Sequence, residues 1–120
     1  MTGSIAITPP NSLIVIAGGP TRDAPTTMGG LSIASTRSCV IVSCLMFQDG
    51  ETRVTLGQPL KTDERPSFDG FLDTPHHRVA AWTVEWEEVL GTRVPTTRTR
   101  IRIWTNRQRE PDDVYVGIGE

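Results

Sequence analysis

Arg98, Arg100 and Arg102 alternate with Thr99 and Ile101, so on an extended chain their guanidinium groups stand on one face, about 6.6 Å apart. Forked donors at that spacing suit carboxylates or phosphates, which accept two parallel hydrogen bonds from each guanidinium. Trp104 closes the same face, Arg93 precedes the row, and Arg107 and Arg109 follow it. A tryptophan beside arginines has the character of an interface anchor. Arg98, Arg100, Arg102, Trp104 and Arg107 are therefore the candidate partner-binding residues, and the partner they suit is a protein with an acidic surface. Against this stands an ordinary solvated face, whose charge is absorbed by Glu85, Glu87 and Glu88 on a neighbouring strand.

Three other groups carry residue types capable of chemistry. Thr74-Pro75-His76-His77, with Asp69 and Asp73 close by, combines acid, base and metal-ligand types in the segment Asp69 to His77. It is the centre of an alternative reading as a small-ligand or metal site. Adjacent histidines on an extended segment point to opposite sides, however, so one ion would need ligands from elsewhere, and no nucleophile elbow accompanies them. Gly18-Gly19-Pro20 through Met28-Gly29-Gly30 forms a glycine-bounded loop. It lacks the Gly-Lys-Ser/Thr of a phosphate loop and reads as a surface loop available for recognition. Glu110-Pro111-Asp112-Asp113 lacks the alternating acids and central glycine of a calcium loop and reads as a solvated turn. The expectation is no metal, no cofactor and no enzymatic activity.

The elements that position these residues are strands. Ten Val, nine Ile and sixteen Thr, against six Ala and one Lys, favour a pleated, half-buried surface, and no window shows helical spacing of apolar residues. Strands are expected at Ile5 to Thr8, Leu13 to Ala17, Leu31 to Ser35, Cys39 to Phe47, Glu51 to Leu56, around Phe71, and at Tyr115 to Ile118. Cys39 to Phe47 is apolar almost throughout, as in a strand buried on both faces, and Gln48-Asp49-Gly50-Glu51 reads as a hairpin turn after it. The strongest alternation, Arg78 to Leu90 and Arg93 to Trp104 about Gly91-Thr92, predicts a long hairpin opposing Glu85 to Arg98 and Trp82 to Ile101. Trp82 and Trp86 would then face the core with Val84. Gly57 to Asp69 reads as a connection between two sheets. Roughly eight short strands with turns every 8 to 12 residues or so indicate an all-β antiparallel sandwich, one domain over residues 1–120.

Composition narrows the partner class. A formal charge of −2 with 37% hydrophobic and 22% charged residues describes a soluble globular chain, without the general cationic attraction for nucleic acid or an anionic membrane. No basic start or long apolar run marks a secretory signal, so a cytoplasmic location is expected. Cys39 and Cys44, five positions apart on one strand, lie on opposite faces roughly 16 Å apart, beyond the limit of about 7 Å for a disulfide, and are expected to be free thiols. Edge strands leave self-association open as a third reading.

The order of elements resembles the competence protein J family. Gly30-Leu31-Ser32-Ile33 leads into the apolar strand Cys39 to Phe47, Trp104-Thr105 closes a strand, and an acidic loop precedes Tyr115-Val116-Gly117-Ile118. Where that layout would place a Gly-Asp-Tyr turn, this chain has Thr97-Arg98-Thr99-Arg100. The resemblance implies a small cytoplasmic β-sandwich that inhibits a cognate nuclease by binding it, an immunity-type function. It transfers no functional residue.

Overall fold

The computed structural model describes residues 3–25 and 27–119. Ten strands form two five-stranded sheets. In chain order the strands are β1 (Gly3–Ile7), β2 (Leu13–Ala17), β3 (Ile33–Ser35), β4 (Cys39–Ser43), β5 (Thr52–Gly57), β6 (Phe68–Asp73), β7 (Arg78–Trp82), β8 (Glu88–Arg93), β9 (Arg98–Thr105) and β10 (Asp113–Ile118). Sheet I runs β1-β5-β10-β9-β6 and sheet II runs β3-β4-β2-β7-β8. Every neighbouring pair is antiparallel except β5 and β10, which are parallel. The fold is the all-β sandwich expected from the composition. Helical geometry among the described residues is confined to 3₁₀ turns at Pro10–Ser12 and Phe47–Asp49, and no helix is long and apolar enough to cross a membrane.

The side-chain period of two divides each strand between two environments. Ile14, Ile16, Val40, Val42 and Val79 from sheet II meet Val54, Leu72, Ile101, Ile103, Val114 and Val116 from sheet I, all fully or almost fully buried. The other face of sheet II is apolar as well. Val15, Ala17, Cys39, Ile41, Ala80 and Trp82 form a second cluster there, against which Ala24, Met28 and Trp86 pack. This double burial explains why β2 and β4 read as continuous apolar runs. Cys39 and Cys44 are free and buried in separate clusters.

The pairing of the long strands differs from the sequence expectation in three places. Arg78 to Leu90 and Arg93 to Trp104 do not form one hairpin. β7 turns back at residues 83–87 into β8, with Arg78 opposite Arg93 and Ala81 opposite Leu90, and β9 crosses to sheet I. Hydroxyl chemistry makes this turn without glycine. Thr83 Oγ1 accepts the amides of Glu85 and Glu87, both at 3.3 Å, and Trp86 takes a positive φ of 62° while its ring packs edge-on against Trp82 at 5.7 Å. Gly91, expected in the turn, lies inside β8. A Cβ there would sit 2.5 Å from an Arg78 guanidinium nitrogen, so the glycine makes room for the Arg78–Glu88 ion pair across the strand.

Likewise, β4 and β5 belong to different sheets and are joined by the Phe47–Asp49 turn, not paired as a hairpin. The Gly57 to Asp69 connection does not pass between sheets. It links β5 to β6 within sheet I, with β10 and β9 between them, and residues 58–67 lie as a strap across the outer face. Tyr115 donates its hydroxyl to Gln58 O at 2.7 Å, and Trp104 Nε1 donates to Glu64 O at 3.1 Å. A Cβ on Gly117 would lie 2.9 Å from Pro59 Cα, so this glycine lets the strap rest directly on β10.

Candidate protein-binding face

β9 carries the predicted row on the outer face of sheet I, because Thr99, Ile101 and Ile103 face the core. The sheet then divides the row. Arg98 is exposed, with its guanidinium carbon 4.4 Å from the centroid of Phe71, a cation–π contact with an exposed ring of β6. Arg100 grips Asp69 bidentately, Nε to Oδ1 at 3.0 Å and Nη2 to Oδ2 at 2.8 Å. The Arg100 hydrogen bond, aided by the charges of Arg100 and Arg102, holds the Asp69 carboxyl below the usual carboxylate range. Arg102 is half-buried and donates from Nη2 to Gly119 O at 3.0 Å, while its buried Nε has no partner among the described residues.

Trp104 lies on this face but is only 8% exposed, covered by the strap and edge-on to Tyr115 at 6.2 Å. It anchors the strap. Arg107 stands beyond the far end of β9, where its Nε donates to Glu110 O at 3.0 Å and its guanidinium approaches Asp112 at 3.7 Å. Asn106 completes this loop staple by accepting the amides of Asp112 and Asp113, both at 3.2 Å. Of the five candidates, Arg98 and Arg100 face the same open surface. Arg102 and Trp104 continue the same face, Arg102 half-buried and Trp104 under the strap, and Arg107 belongs to another loop.

The counter-charges also come from an unexpected strand. Glu85, Glu87 and Glu88 lie in or beside sheet II, and Glu88 pairs with Arg78. The carboxylates beside the arginine row are Asp69 and Asp73 of β6, with Asp73 3.8 Å from Arg37. Between β6, β9 and the segment following β8 lies a cleft of about 360 Å³, lined by Phe71, Arg93, Val94, Arg98, Arg100 and Ile118 among others. Sequence alternation exposed Arg98 and Arg100. Phe71 and Ile118 were missed as neighbours because only the pairing of β6 and β10 with β9 and β5 brings them there.

The remaining candidates are separated or covered. His76 and His77 are exposed on the turn between β6 and β7, where His77 N donates to Thr74 O at 3.0 Å. Asp69 is engaged by Arg100, away from that turn, and no three His, Cys, Asp or Glu side chains among the described residues come together as a metal site requires. Burial pushes the Cys39 thiol up to about 11, with the Asp23 charge adding to the effect, and it pushes Cys44 up to about 12. Both are protonated and unreactive near neutrality. The loop from Gly18 to Gly30 is partly pinned to sheet II. Ala24 and Met28 pack on the second cluster, and Thr21 and Ser38 share a hydrogen bond at 3.0 Å that pins the loop beside β4.

No protein-family model and no curated protein matches this sequence. Two solved structures match across the chain. One, described as "Crocagin biosynthetic gene J", has a TM-score of 0.58 and 12% identity, covering 99% of this chain and 96% of its own. The other is ComJ, inhibitor of the DNA degrading activity of NucA, from Bacillus subtilis, with a TM-score of 0.66 and 7% identity, covering 98% of this chain and 95% of its own. The resemblance read from the order of elements thus holds for the three-dimensional fold, and the chain is similar over nearly its whole length to a sandwich that serves as a nuclease inhibitor.

Proposed function

We propose that this chain is a non-enzymatic, cytoplasmic protein-binding module that neutralises a nuclease or a toxin of related kind. The observation that carries this reading is the near-complete coverage of both chains in the fold match to ComJ. Local chemistry agrees with it. The two thiols are buried and protonated, and the histidine pair stands on an exposed turn apart from Asp69. The surface offered to a partner is the open part of the outer face of sheet I, with Arg98 and Arg100 as direct contacts. Beside them, Arg102 holds the Gly119 carbonyl and Trp104 holds the strap.

The test is purification of the tagged chain from its host, identification of the protein retained in stoichiometric amount, and assay of that protein for DNA cleavage with and without the chain. Stoichiometric inhibition that falls at least tenfold in the R98E/R100E variant is the expected result. A retained protein whose activity the chain leaves unchanged would remove the inhibitor function, and undiminished inhibition by the variant would remove this face.

A further inference from the structure

The cleft beside the arginine row is cationic in its lining. Three guanidinium-bearing residues, Arg93, Arg98 and Arg100, line it, and among the described residues no aspartate or glutamate does. They play different parts. Arg100 is fixed by its bidentate bond to Asp69. Arg98 is held against the Phe71 ring, and among the described residues neither Arg93 nor Arg98 carries an ion pair. Two cationic side chains therefore line a concave surface whose other walls include Phe71, Val94, Pro95 and Ile118. Apolar walls reduce the screening of those charges, so an anion entering the cleft gains more than it would on an open face.

The size and shape of the cleft restrict the anion. At about 360 Å³ it lies at the lower end of the roughly 300–1,000 Å³ typical of ligand clefts, enough for a short peptide segment. A single-stranded nucleic acid would need an open aromatic face for stacking, but Arg98 already covers one face of Phe71. The chain as a whole is also acidic, at −2. A carboxylate side chain matches the forked donors, and an apolar neighbour in the same segment matches Val94, Pro95 and Ile118.

We propose that this cleft binds an acidic segment of the protein partner, receiving an Asp or Glu carboxylate between Arg93 and Arg98 with an adjacent apolar side chain against Val94 and Ile118. This rests on the protein-binding reading above and adds the chemistry of what is bound. Arg100, tied to Asp69, gives the cleft one fixed cationic wall, and the Phe71 ring fixes Arg98 so that less side-chain freedom is lost on binding.

The probe is the capped peptide Glu-Leu-Glu-Phe, titrated into the ¹⁵N-labelled full chain, with Gln-Leu-Gln-Phe and a ten-residue oligothymidylate as comparisons. Saturable amide shifts confined to residues such as Phe71, Arg93, Arg98 and Gly119 are expected. The glutamine peptide should bind at least about tenfold more weakly, the value of one charge-assisted pair. R93E/R98E should abolish the shifts, and R93Q/R98Q, which introduces no repulsion, should weaken them by the same tenfold or more. Absent shifts, equal affinity for both peptides, shifts centred elsewhere, or tighter binding of the oligothymidylate would each overturn the proposal. Retention of the inhibited nuclease by R93E/R98E would also overturn it while leaving the inhibitor function intact. Peptide binding by a chain that captures no nuclease would support the cleft and remove that function.

Discussion

The outer faces of the two sheets are made from the same alternating strands and finished in opposite ways. On sheet II, Val15, Ala17, Ile41, Ala80 and Trp82 point outward into a second apolar cluster, and the loop after β2 folds over them with Ala24 and Met28. On sheet I, the outward residues of β9 and β6 are Arg98, Arg100, Asp69 and Phe71, and the strap covers only the other part, over Trp104, Tyr115 and Gly117. The outer face of sheet II therefore adds a second apolar layer to the shared core, whereas that of sheet I leaves charged side chains exposed beside the strap. A partner bound as proposed would engage sheet I without competing for the second apolar cluster.

Substitutions can break or sharpen that contrast. The largest effect is expected from Trp82→Ala, which empties the covered face of sheet II and removes the Nε1 bond to Ala17 O at 3.1 Å. A loss of about 3–5 kcal/mol in denaturant unfolding is expected, and a loss under 1 kcal/mol would show that the second cluster is only a cover. Next comes Gly117→Val, which forces a Cβ to within 2.8 Å of the Trp104 ring and 2.9 Å of Pro59 Cα. It should cost about 1–3 kcal/mol and make residues 58–67 the first site of limited proteolysis; unchanged proteolysis would mean that the strap does not depend on this close approach.

The smallest effects belong to the charged face. Arg98→Ala should shift stability by no more than about 0.5 kcal/mol, and Asp69→Asn by less than about 1 kcal/mol, because both partners of the Asp69–Arg100 pair remain partly exposed. The Asp69 contribution has a defined pH window. Its folded carboxyl titrates below its unfolded value, so the stabilisation is complete above about pH 4 and is lost as pH falls through the lower folded value. The acid limb of the stability curve should therefore be shallower in D69N than in the parent chain, with the two curves converging at the lowest pH. Parallel limbs would exclude this pair as a source of acid sensitivity.

Much of this layout is written locally in the chain. The apolar run at Cys39, the alternation from Arg98 to Ile103 and the strand around Phe71 each announce the element they form. What local pattern does not contain is which strand lies beside which. Trp82 to Trp86 alternates like a strand, yet the Thr83 hydroxyl supplies turn bonds to two backbone amides, and no glycine signals the reversal. Gly91 signals a turn and instead accommodates an ion pair. The arginine row was legible for the same reason that its fate was not. Alternation fixes the face, whereas the ion pair with Asp69, the ring of Phe71 and the strap over Trp104 all come from residues more than twenty positions away.

The parallel contact between β5 and β10 has a consequence for the order in which the molecule can assemble. All five strands of sheet II have appeared by Arg93, but the β1–β5 and β9–β6 halves of sheet I share no hydrogen-bonded ladder until residues 113–118 insert between them. During synthesis the core side of sheet II must wait for its cover. Closure through such distant segments is slow compared with local hairpin formation. The keystone of sheet I is β10, because the β1–β5 and β9–β6 halves become one sheet only once its two ladders, to β5 and to β9, are in place.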